Sequence, residues 1–220
     1  MVQPQSATAP GGVSFISLMA IVITGLIPIW GVHAYGWDAV QVVILYWFES
    51  LIAGAFTFFR VRTAEKHDPA ERGSPFGLSG FFVVHYGLFC LVHGVFAWLL
   101  AILVMAEGDA GAVWTSTLAN GDFWSALMGV ALLQGMVFWR EWARPKAWLT
   151  ASASREMFRP YGRIAAMHLT VIAGFWLLGL SNASTLMVVI LCGLKLVIDL
   201  ALELWSARFR IRFEPVVERR

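Results

Sequence analysis

Charge is scarce in this chain of 220 residues: 14% of them are Asp, Glu, Lys or Arg, where a soluble domain has about 25%. There are two cysteines, Cys90 and Cys192, and both lie inside apolar runs. That excludes a disulfide framework and offers no CxxC metal motif. GxxxxGK[ST] and GxGxxG loops are missing, so nucleotide binding is not expected. No GxSxG elbow is present for a serine hydrolase. Met1–Gly12 is polar and has no basic residue, so it does not read as a cleavable signal peptide. Its Pro, Gly, Ser and Ala content reads as a disordered tail over residues 1–12.

What the chain has is apolar surface: 59% of residues are hydrophobic. A bilayer core needs about 20 apolar residues per helix. Six runs meet that need, near Val13–Val32, Ala39–Phe59, Phe81–Ala106, Phe123–Trp139, Ile164–Leu180 and Thr185–Trp205. Pro28 interrupts the first, which a bundled membrane helix tolerates. Between them, Arg60–Gly80 and Arg140–Tyr161 read as hydrophilic loops, the latter with a short interfacial helix. The expected fold is an all-α integral membrane protein with six transmembrane helices over residues 13–207. A basic tail follows at 208–220.

Lys and Arg set the orientation. Arg60, Arg62, Lys66 and Arg72 lie in one connection. Arg140, Arg144, Lys146, Arg155, Arg159 and Arg163 lie near another. Arg208, Arg210, Arg212, Arg219 and Arg220 follow the last run. The intervening turns, at residues 33–38, 107–122 and 181–184, have none. Both termini are therefore expected in the cytoplasm, in a bacterial inner membrane. The basic segments also suit anionic lipid. They are too short and too close to the membrane to argue for nucleic acid.

Ionisable groups inside the apolar runs are the candidate site, because such groups are costly in hydrocarbon and usually face a protein interior. A helical rise of about 1.5 Å per residue puts His85, His168 and Asp199 about 8–12 Å from the cytoplasmic end. Glu49, Lys195 and His93 come out deeper, at about 16–21 Å. The first layer is a ligand set for non-haem iron or zinc; alternatively His85 and His168 are axial ligands of a haem. In the second layer, Glu49 and Lys195 are expected to form an ion pair and to be the acid–base groups. His93 and Tyr86 are candidate cofactor contacts. The plain structural reading stands beside each: a packed histidine, an ion pair that only holds the bundle, and Gln134 as an interhelical hydrogen bond.

Tyr46-Trp47-Phe48-Glu49, His85-Tyr86-Gly87-Leu88-Phe89 with His93, Arg163 ahead of His168, and Lys195 with Asp199 together resemble an uncharacterised family of bacterial multi-pass membrane proteins. The resemblance covers about residues 15–205. It implies a helical membrane fold and supplies no activity or cofactor. Three functions follow from the residues. One is a metal- or haem-dependent enzyme acting on a lipid or quinone. Another is a proton-coupled transport component. The third is a non-catalytic subunit, either a homo-oligomer or part of a larger membrane complex.

Overall fold

Ser14 precedes the first long apolar stretch, and its carbonyl accepts the first helical bond, from Leu18 N–H at 3.1 Å. The helix it starts, α1 (Phe15–Tyr35), stops at Gly36, whose φ of 68° is left-handed. Glycine adopts that conformation without the strain a Cβ would bring. Asp38 then opens α2 (Ala39–Glu65). Its carboxylate accepts from Gln41 N–H at 2.9 Å, and the Gln41 side chain accepts from Asp38 N–H at 3.1 Å. This reciprocal cap turns the chain sharply back.

The computed structural model describes residues 14–67, 77–104, 110–162, 164–165, 168–169, 172 and 185–213. After α2 come α3 (Gly77–Val104), α4 (Ala110–Ala119) and α5 (Gly121–Phe138). A π-turn (Trp139–Ala143) continues α5, followed by a 3-10 turn (Ala147–Leu149), α6 (Ala153–Phe158) and α7 (Thr185–Phe213). The described residues contain no strand. Among the described residues, four helices are long and apolar enough to cross a membrane: Phe15–Tyr35, Ala39–Glu65, Gly77–Leu99 and Gly121–Ala143. The expected fifth span is described only in part: Ile164, Ala165, His168, Leu169 and Ile172 are helical, as are Tyr161 and Gly162 before them. The expected tail at residues 1–12 lies outside the described residues.

Several boundaries differ from the sequence reading. α2 does not end at Phe59 but runs to Glu65, α7 passes Trp205 to Phe213, and α4 occupies the expected acidic loop. In each case charged or short polar residues continue a helix that hydropathy alone would have ended.

α2 is the central element, packed against α1, α3, α5 and α6, while α7 packs on α1. One core, at the α1–α2 turn, gathers Trp37, Val40, Ile44, Leu45, Phe123, Val188 and Cys192. A second gathers Val61, Phe82, Tyr86, Met157 and Ile164. The α2–α3 seam is closed by polar contacts to the backbone. Trp47 Nε1 donates to Cys90 O at 2.7 Å, and Tyr86 Oη donates to Ser50 O at 2.8 Å. At Gly54 a Cβ would run into the Tyr86 ring, so the two helices approach through a residue without a side chain. Outward faces are apolar, with Phe15, Trp30, Val84, Leu91, Leu132 and Val197 exposed. A contiguous apolar exterior suits lipid rather than water.

Candidate functional site

α2 presents a buried stripe of Tyr46, Glu49, Ala53, Thr57, Arg60 and Ala64. Spacings of three and four keep these on one helix face. Two of the six are ionisable with full charge, and each has its own arrangement of partners.

Glu49 faces α7. Lys195 Nζ donates to Glu49 Oε2 at 3.1 Å and to Asp199 Oδ2 at 2.8 Å. Lys195 and Asp199 share a face because they stand four residues apart on one helix. The side chains of Glu49 and Asp199 are each 10% exposed and that of Lys195 is 8% exposed. The ammonium also lies 4.4 Å from the centre of the Tyr46 ring, on its face. One cation thus serves two carboxylates. Asp199 Oδ1 is buried and has no hydrogen-bond partner among the described residues. The ion pair expected between Glu49 and Lys195 is present, and Asp199 joins it.

A second set runs along the face of α3 that carries His85, Phe89 and His93. Tyr161 Oη is 2.5 Å from His85 Nδ1. Further along, His93 Nε2 is 2.5 Å from His168 Nδ1, and His93 Nδ1 is 2.7 Å from Phe89 O. The ring centroids of His93 and His168 are 4.5 Å apart, edge to face. Burial pushes the Tyr161 phenol above its ordinary value. Phenol as donor and His85 Nδ1 as acceptor is the arrangement this favours.

The third set sits at the end where α2 finishes and was missed by the sequence reading. Arg60 is buried between the rings of Phe138 and Trp142, at 5.7 and 5.2 Å from their centroids. It pairs with Glu156 at 3.5 Å and Glu141 at 4.0 Å. Arg159 pairs with the same two carboxylates, Glu141 at 3.3 Å and Glu156 at 3.6 Å. Ser17 Oγ donates to Glu141 Oε1 at 2.7 Å, which ties α1 into the group. The π-turn, closed by Arg144 N–H on Trp139 O at 2.7 Å, carries both Glu141 and Trp142. Partial desolvation disfavours the charge on Arg159, but Glu156, Glu141 and Glu203 outweigh it and hold the guanidinium above its ordinary value. Arg60 was read as the first residue of a loop because it is charged. Its place on the buried stripe, three residues after Thr57, was the signal that could have found it.

Nearby, Glu65 closes α2 and caps α3. It accepts from Leu78 N–H and Ser79 Oγ–H, both at 2.6 Å. A carboxylate at a helix N-terminus is favoured by the helix dipole and satisfies an otherwise unpaired N–H.

The expected metal set is not brought together. His85 meets Tyr161, His168 meets His93, and Asp199 meets Lys195. No group of three or more His, Cys, Asp or Glu side chains among the described residues is placed to hold a metal ion. Part of the cause is depth. The helical residues before His168 begin by Tyr161 and not at Ile164, which puts His168 about 4–5 Å further in than the sequence predicts and beyond the level of His85. Tyr86, expected at a cofactor, instead spends its hydroxyl on the Ser50 carbonyl in the α2–α3 seam.

Apolar helices long enough to cross a bilayer, with charged side chains buried between them, define an all-helical membrane protein. The chain belongs to a family of unknown function (DUF6498), whose model matches residues 9–212. No curated protein and no solved structure matches it.

Proposed function

We propose that this chain is a proton-handling component of a proton-coupled transport system, with Glu49, Lys195 and Asp199 as its proton-binding centre. The observation that carries the proposal is one buried ammonium held between two buried carboxylates. With all three groups ionised the centre bears a net negative charge in a low-dielectric interior, where each unbalanced ion costs several kcal/mol. One added proton removes that charge. Asp199 Oδ1, buried and without a hydrogen-bond partner among the described residues, is the oxygen free to take it. Gain and loss of this proton changes which carboxylate Lys195 holds, and so links proton binding to the contact between α2 and α7.

The proposed topology has six crossings and both termini in the cytoplasm of a bacterial inner membrane. Its support is the pairing of ends. Ser17 at the start of α1, Arg60 near the end of α2 and Glu141 beyond α5 meet at one end. Trp37 after α1, Phe123 at the start of α5 and Val188 at the start of α7 pack at the other. The basic residues concentrate at the first end. Single cysteines at Gly36 and Thr150, with Cys90 and Cys192 replaced, test this with an impermeant maleimide on intact spheroplasts. Labelling at Gly36 and none at Thr150 is expected; the reverse pattern refutes the orientation.

Function is tested in proteoliposomes holding a pH-sensitive dye, with an imposed proton gradient. Proton flux is expected from the native chain and not from E49Q or D199N purified as equally monodisperse proteins. Absence of flux from the native chain, or equal flux from both variants, overturns the proposal.

A further inference from the structure

We infer that His93 and His168 form a store for a single proton, separate from the Glu49–Lys195–Asp199 centre. A carbonyl oxygen donates nothing, so the 2.7 Å contact between His93 Nδ1 and Phe89 O requires a hydrogen on Nδ1. The neutral ring then has a bare Nε2. That nitrogen lies 2.5 Å from His168 Nδ1. Two facing lone pairs repel, so His168 Nδ1 supplies the hydrogen between the rings. His168 Nε2 is left as the basic nitrogen.

Loading places one proton on His168 Nε2. The resulting imidazolium donates its Nδ1–H to His93 Nε2, and the positive charge is shared by two rings. A second proton would set two cations against each other, so the capacity is one. Phe89 O accepts a hydrogen from His93 and has none to pass on. The pair is therefore closed on that side: the proton arrives and leaves through His168 Nε2, which makes a store rather than a link in a wire. Distance decides against a shared metal ion. Zinc bonded to two imidazoles at about 2.0 Å each in tetrahedral geometry holds their nitrogens about 3.3 Å apart. The 2.5 Å separation leaves no space for a bridging ion and puts the two nitrogens in direct contact.

The ionisable groups on the elements packed against α3 have other partners. On α2, Glu49 is held by Lys195, Arg60 by Glu141 and Glu156, and Glu65 by Arg62, Leu78 and Ser79. On α6, Glu156 is held by Arg60 and Arg159, while Arg155 is exposed. α4 has no ionisable residue. Tyr161 meets His85. His168 is thus the ionisable partner of His93 among the described residues.

The test is solid-state NMR of the full chain, labelled with ¹⁵N-histidine, in lipid bilayers across a pH titration. A coupling between His93 Nε2 and His168 Nδ1 through their hydrogen bond is expected, with uptake of one proton per two rings. H168Q is expected to lose that uptake while His93 Nδ1–H keeps its resonance. Two independent titrations, no coupling, or displacement of ring protons by added zinc would overturn the inference; the coupling in the native chain decides the matter if H168Q does not fold. The readout is on the histidines and not on flux, so this inference and the proposed function can fail separately.

Discussion

Replacing Lys195 by Met keeps the length of the side chain and removes its charge. At an effective dielectric of about 20, the contacts of 3.1 Å to Glu49 and 2.8 Å to Asp199 are worth roughly 5 and 6 kcal/mol of attraction. Desolvation of the three ions cancels most of that in the native protein. The variant keeps the desolvation of both carboxylates and loses the cation that offset it. Breaking a buried pair in this way costs about 3–5 kcal/mol. The triple variant E49Q/K195M/D199N leaves no buried charge at this centre and is expected to regain all but about 1 kcal/mol of the loss. Unfolding by SDS in mixed micelles, followed by the fluorescence of the eleven tryptophans, measures both. A loss below about 1 kcal/mol in K195M, with no recovery in the triple variant, would refute the assignment of a desolvated charge centre.

R60M is expected to destabilise by about 2–4 kcal/mol, less than a fully orphaned pair, because Arg159 still holds Glu141 and Glu156; the same SDS titration measures it. E65Q weakens the charged cap of α3 and is expected to cost about 1–2 kcal/mol, with amide exchange at Leu78 and Ser79 rising before that of the helix centre. The raised Tyr161 phenol gives a pH dependence. Its neutral form is favoured in the folded state, so its contribution is present below the ordinary tyrosine value of about 10 and is lost as pH rises beyond it. Y161F is expected to flatten the alkaline limb of the stability curve, and an unchanged limb counts against a partly buried phenol at His85.

Much of the membrane architecture was legible because hydrocarbon makes one simple demand: about 20 apolar residues per crossing. Helix ends were less legible. Arg60 and Glu65 look like loop residues by charge, yet both are buried in α2 because each finds partners on other elements. Hydropathy records the cost of exposure to lipid and not the relief from a partner far along the chain. The Glu49–Lys195 contact could be read from depth, since the two residues were the deep pair of opposite charge. The histidine pairing could not. Rise along a helix gives height but not rotation, so it does not say which histidine His168 meets. Tyr161, which occupies His85, closes the loop that composition predicts over Arg140–Tyr161.

Infrared difference spectroscopy in bilayers reads, at the atom, whether Glu49, Lys195 and Asp199 hold a proton. A protonated-carboxyl C=O stretch is expected in the native chain, absent in D199N and retained in a control such as Q134L. A native spectrum with no such band, or a band that D199N and E49Q both leave unchanged, would contradict the account.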